Sequence, residues 1–229
     1  MNSTNKLARL AGFLYVLLSV PGVYALIYVP KTLMAHGDPA ATAHNILASE
    51  TLFRSGILAD LVSQALFILV GLVLYRLLKG VDKTLAALTV ILLLIPIPIV
   101  FVGEVHHLSV LTILDANGPA AALSEAQRYI QMSLALDSYD NAILVAEVFW
   151  GLWLFPFGWL VFKSGFLPRV LGVLLIVAGC GYAAESVAWL LLPDYGHLVS
   201  KVAGPLRALE LLTPLWMLIM GAKDKTLAD

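Results

Sequence analysis

The chain has 229 residues, 60% hydrophobic and 13% charged, with a mean hydropathy of +0.90 and a formal net charge of -1. An ordinary soluble domain is about 25% charged and could not bury this much apolar surface, so the composition excludes one. The charge balance excludes a nucleic-acid partner, which calls for a basic patch, and the single cysteine, Cys180, excludes an internal disulfide and a paired-thiolate metal site.

Crossing roughly 30 Å of hydrocarbon takes about 20 apolar residues in a helix. Six stretches qualify, at residues 7–29, 55–78, 84–103 with a helical extension beyond, 140–162, 170–192 and 204–221. The expected fold class is all-α: a polytopic membrane helix bundle of six transmembrane helices, forming one integral membrane domain over residues 1–229. The first stretch is too long in its apolar run for a cleaved signal peptide and has no small-x-small site after it, so it reads as an anchor. Nine of the fourteen basic residues fall on alternate connections: Lys6 and Arg9; Arg76, Lys79 and Lys83; Lys163 and Arg169; Lys223 and Lys225. The positive-inside bias therefore puts both termini in the cytoplasm.

The outward connections differ in character. "KTLMAHGDPAATAHNILASETLFR" turns at Gly37-Asp38-Pro39 and then repeats Ala43, Ile46, Leu47 and Phe53 at helical spacing, the pattern of an interfacial amphipathic helix. "DANGPAAALSEAQRYIQMSLALDSYD" repeats the plan, with a Gly-Pro turn, Ser124 as N-cap, and Leu123, Ile130 and Leu134 on one stripe. Two amphipathic segments on the outer side are expected. In the third span, Pro96 and Pro98 each remove a backbone donor, which predicts a kink near mid-membrane.

An ionisable group inside a span costs about 2.5–3.5 kcal/mol on insertion scales, so its presence marks a site or a buried pair. Asp60, Glu104, Glu147, Glu185 and Glu210 come from five different spans, and all lie toward the outer end. Asp60 shares a helix face with Gly56, Ser63 and Gln64, and Glu185 with Gly181, Tyr182, Ala188 and Trp189; small residues line helix contacts, so these faces turn inward. Asp140 precedes Glu147 by two helical turns, Arg207 precedes Glu210 by three residues, and Arg54 stands at the lip of the helix that holds Asp60. Glu147, Glu185, Glu210 and Asp60 are therefore the candidate catalytic groups of an outward-facing pocket. Arg54, Gln64, Asp140, Tyr182, Trp189 and Arg207 are the candidate substrate-binding groups.

"FVGEVHHLSV" places Glu104 and His107 at i and i+3, one Glu-x-x-His pair of the kind that presents two metal ligands from a bundle helix, while His106 points about 100° away. The usual site needs two such pairs, and one is present. Two chemistries follow: a divalent metal held by Glu104 and His107 with acids from other spans, or acid-base work by carboxylates crowded in a poorly hydrated pocket. The structural alternative makes Glu210 with Arg207, and Asp60 with Arg54, simple ion pairs. There is no Gly-x-Ser-x-Gly, His-Glu-x-x-His, aspartate-rich prenyl-diphosphate or Cys-x-x-Cys motif. Three classes stay open: a membrane-embedded enzyme acting on a lipophilic or small substrate, a proton- or cation-coupled transporter, and a non-catalytic binding or sensory protein. Trp150, Trp153 and Trp159 read as packing and lipid contact. The small-residue faces do not specify an oligomeric state.

Three stretches carry a family likeness: "GDPAATAHNILASETLFRSGILADLV", the basic turn "YRLLKGVDKTLAAL", and "KSGFLPRVLGVLLIVAGCGY". Together they resemble a family of bacterial integral membrane proteins catalogued as domain of unknown function 4386, over nearly the whole chain. The resemblance implies a multi-pass protein of the bacterial cytoplasmic membrane, with the lipid bilayer as its surroundings. It brings no activity and no catalytic residues.

Overall fold

Hydrocarbon offers no partner to a backbone N–H or C=O, so a chain this apolar satisfies its backbone internally. The computed structural model describes residues 3–223, and no strand occurs among them. The α-helices are α1 (Ser3–Val23), α2 (Val29–Leu33), α3 (Pro39–Ala48), α4 (Glu50–Leu78), α5 (Lys83–Leu94), α6 (Pro96–Leu114), α7 (Glu125–Leu152), α8 (Leu154–Ser164), α9 (Arg169–Leu191), α10 (Pro193–Arg207) and α11 (Leu212–Ile219). They make up six segments long and apolar enough to cross a membrane: Ser3–Leu33, Glu50–Leu78, Lys83–Leu114, Glu125–Ser164, Arg169–Leu191 and Pro193–Ile219. The protein is an all-α polytopic helix bundle. Lys225, expected among the basic signals, lies outside the described residues.

Prolines account for most of the breaks within segments. Pro96 and Pro98 withhold the donors that Leu92 and Leu94 would have used, and the third segment breaks at Ile95 between α5 and α6. Pro156 does the same to Leu152, and the fourth segment breaks at Trp153. In the sixth, the 3-10 turn Ala208–Leu211 precedes Pro214, which cannot donate to Glu210. The first segment contains a π-helical stretch, Tyr24–Tyr28, flanked by Pro21 and Pro30.

The two amphipathic stretches meet different fates. The first forms a separate helix, α3: Asp38 Oδ1 accepts from Ala41 N at 2.9 Å, and Pro39 opens the helix. Its stripe does not float at a membrane surface, because Ala43 and Ile46 are buried in a core with Val29, Leu33, Phe53, Val110 and Met132. The second stretch is no separate surface helix. Ser124 and Gln127 form a capping box, with Gln127 Oε1 accepting from Ser124 N at 2.9 Å and Ser124 Oγ accepting from Gln127 N at 3.3 Å. With no breaker before Trp153, the helix then runs straight on as α7.

The chain divides into two compact units: residues 3–17, 66–97 and 144–223 of the described chain, and residues 18–65 and 98–143. In the first, α8 and α9 pack backbone to backbone. A Cβ on Gly158 would lie 2.6 Å from Gly172 O, and one on Gly172 would collide with Gly158 O, so glycine alone permits that approach. The rings of Tyr15 and Phe67 close over Trp153, which is fully buried. The second unit is held by the core under α3 just described. Leucines and valines such as Leu58, Val62, Leu69 and Leu72 along α4 are exposed, as a lipid-facing surface requires.

Candidate functional site

In the second unit, three helices bring their polar residues to one place. α4 supplies Asp60 and Gln64, α6 supplies Glu104 and His107, and α7 supplies Tyr139 and Asp140. Gly103 makes the meeting of α6 and α7 possible: a Cβ there would sit 3.2 Å from both Tyr139 Cδ2 and Ala142 Cβ. Asp60 is 1% and Glu104 3% exposed. His107 Nδ1 lies 3.0 Å from Glu104 Oε2. With the carboxylate accepting from Nδ1–H, the imidazole keeps Nε2 free as a proton acceptor. The His107 ring stacks on Tyr139, with centroids 3.6 Å apart, and meets Phe53 edge-on. The Tyr139 hydroxyl donates to Asp60 Oδ2 at 3.1 Å and is within reach of Glu104 as well. Gln64 Nε2 donates to Asp60 Oδ1 at 3.1 Å, while Gln64 Oε1 is buried with no partner among the described residues.

This network borders two cavities. A pocket of about 650 Å³ has apolar Leu26, Ile27 and Pro30 on one side, the first two belonging to the π-helical stretch, and Asp38, Asp137 and Asp140 among its polar lining. A second cavity, of about 20 Å³, touches Glu104 and has room for about one water. His107 and Tyr139 belong to the walls of both. The stacked pair therefore stands between an open pocket and a buried carboxyl group. Against the three aspartates the pocket sets one lysine, Lys31, and the imidazoles of His36 and His107.

The first unit gathers the remaining acids around a cation. Arg207 Nη1 donates to Glu147 Oε1 at 2.8 Å, and Arg207 Nε lies 2.9 Å from Glu185 Oε2, a charge contact without hydrogen-bond alignment. Glu185 Oε1 accepts from Ser200 Oγ at 2.6 Å, and Ser200 Oγ accepts from Trp189 Nε1 at 3.2 Å. Tyr182 donates to Glu210 Oε1 at 3.0 Å and presents its ring to the Arg207 guanidinium at 5.1 Å. Each carboxyl of this cluster has an arginine or a hydroxyl partner, the pattern of a satisfied structural network.

The structure thus sorts the expected site residues into two groups. Asp60, Gln64, Glu104, His107 and Asp140 meet in the second unit; Glu147, Glu185, Glu210, Tyr182, Trp189 and Arg207 meet in the first. Neither ion pair of the structural alternative forms. Arg54 is exposed and binds Glu50 at 2.6 Å one turn back, a local pair that needs no buried partner, and Asp60 has Gln64 and Tyr139 instead. Arg207 serves Glu147 and Glu185, while the hydrogen bond of Glu210 goes to Tyr182. Glu104 and His107 do share a face, yet they bond to each other, and no group of three or more His, Cys, Asp or Glu able to hold a metal occurs among the described residues. The residues missed by sequence reasoning are Tyr139, Asp137, Asp38 and Ser200. Tyr139 had a signal in its neighbour Asp140 and in Gly103 beside Glu104; Ser200 had none.

The model of the family described as domain of unknown function 4386 matches residues 10–221, and the chain belongs to that family. It is 32% identical over 88 residues to an uncharacterized protein of the archaeon Archaeoglobus fulgidus, a match covering 38% of this chain and 51% of that one. The chain thus spans about half the length of this curated relative. No solved structure matches.

Proposed function

We propose that this multi-pass membrane protein is an embedded acid-base enzyme whose second unit takes a small amphiphile into the 650 Å³ pocket. The carrying observation is the 3.0 Å contact of His107 with Glu104, with the imidazole in the pocket wall and the carboxyl buried behind it. A carboxylate on Nδ1 holds the ring in one tautomer and stabilises the imidazolium that forms when Nε2 accepts a proton. Asp137 and Asp140 would hold a polar or positively charged head, and Leu26 and Ile27 an apolar tail. The π-helical stretch supports this reading, since such stretches recur at functional sites. Asp60, Tyr139 and Gln64 position Glu104 from behind. Following the positive-inside bias, the termini face the cytoplasm of a bacterial cell and the connections holding Asp38 and Asn117 the outer side.

The test incubates protein in nanodiscs with lipid and metabolite extracts and follows products by untargeted mass spectrometry. A product made by the wild type should fall about 10²–10⁴-fold with His107→Ala. Full turnover in that variant overturns the proposal. Saturable binding without any product would replace it with a binding protein, and proton flux driven by a solute gradient with a transporter.

A further inference from the structure

The stretch "KSGFLPR" lies in the first unit and has no part in the chemistry above. It joins α8 to α9 and carries Lys163 and Arg169, both exposed. Each cation leans on an aromatic ring: Lys163 Nζ stands 4.8 Å from the Trp159 ring centre, and the Arg169 guanidinium 5.6 Å from that of Phe162. The two rings stack with centroids 6.1 Å apart. Trp159 is exposed, as are Val170 and Val173 on the flank of α9. Cations on aromatic rings above an apolar helix flank are the combination that a membrane-water boundary favours.

Other charges join this turn. Lys223 N donates to Phe166 O at 2.9 Å, which fixes the end of the described chain against it. Ala222 N donates to Asn5 Oδ1 at 3.2 Å, and Gly221, at φ 71°, leaves room for Asn5 and Arg9, which ties in the start of α1 with Lys6. Because successive spans alternate in direction, Arg76, Lys79 and Lys83 at the α4–α5 turn emerge on the same side. All eight of these cations are exposed, and among the described residues no carboxylate pairs with them. Among the described residues the single acid on these turns, Asp82, is occupied in capping α5, accepting from Leu85 N at 2.9 Å.

We propose that the Lys163–Arg169 turn seats the phosphate of an anionic phospholipid, with the acyl chains lying along Trp159, Val170 and Val173, and that the surrounding cations enrich such lipids there. Charge complementarity favours an anionic partner, and the rings and apolar flank favour a lipid over a soluble acidic protein. This inference is independent of the proposed chemistry.

Native mass spectrometry of detergent-purified protein tests it, with phosphatidylglycerol and phosphatidylcholine of identical chains. Wild type should retain phosphatidylglycerol preferentially, and the preference should fall roughly five-fold for each charge lost in Lys163→Gln and Arg169→Gln. Arg169→Lys, which keeps the charge, should hold most of it, and Lys201→Gln on α10 should leave it unchanged. Thermal unfolding identifies any variant that fails to fold, and the surviving variants then decide. Equal retention of the two lipids, or retention indifferent to both Lys163→Gln and Arg169→Gln, overturns the proposal. So does competition by glycerol phosphate as effective as that by the lipid, which would mean a free-phosphate site.

Discussion

Both units bury carboxyl groups in helices apolar enough to span a membrane, but they neutralise them differently. In the first, Arg207 contacts Glu147 and Glu185, and a hydroxyl donates to one oxygen each of Glu185 and Glu210. In the second, neither Asp60 nor Glu104 has a lysine or arginine partner among the described residues; the two carboxyl groups meet each other, with amide, phenol and imidazole groups around them. A charge paired by arginine is a fixed part of the fold, because breaking the pair strands the other charge. A carboxyl held by an imidazole can exchange protons with it, which is what chemistry at a pocket requires. The difference separates a cluster that holds helices together from one that is available for work.

The largest effect should come from Arg207→Met, which leaves Glu147 and Glu185 facing each other. Since a quarter of the arginine side chain is exposed, a loss of about 2–4 kcal/mol is expected in thermal unfolding in detergent. Adding Glu147→Gln and Glu185→Gln to that variant should restore much of it. If Arg207→Met unfolds like wild type, the cluster is not a structural staple and the comparison breaks.

Next come single neutralisations. Glu185→Gln should cost about 1–2 kcal/mol because it weakens the contact with Arg207. Glu104→Gln strands no cation and its amide oxygen can still accept from His107, so its stability should stay within about 1 kcal/mol of wild type while turnover drops. Equal losses in unfolding temperature for the two variants would erase the distinction. Tyr139→Phe should likewise cost no more than about 1 kcal/mol, for the hydroxyl bond to Asp60, and the His107 stack should survive. A larger loss would show that the phenol holds both carboxyl groups in place.

Much of the fold was legible because hydrocarbon is an undemanding solvent to read: length and apolarity alone pick out six spans, and Pro96 with Pro98 locates the break at Ile95. The second amphipathic stretch was misjudged as separate, since a capping box such as Ser124 with Gln127 starts a helix but says nothing of where it stops. Within the site, helical spacing correctly joined Glu104 to His107 and Asp60 to Gln64, which are neighbours on one helix. It puts Arg207 within reach of Glu210 along its own segment, whereas Arg207 crosses to Glu147 and Glu185.

From the sequence by itself come the membrane class, the six spans, the break at Pro96 and Pro98 and the acids that had to be reconciled with an apolar interior, because each follows from local composition and the cost of burying charge. Only the tertiary structure decided that the five acids divide between two clusters, one in which Arg207 binds Glu147 and Glu185 and one in which His107 binds Glu104, and that Tyr139 stands with His107 between pocket and carboxyl. Which helices touch depends on side-chain shape across segments distant in the chain, down to a glycine such as Gly103 that leaves room for a ring, and no periodicity within one helix records it.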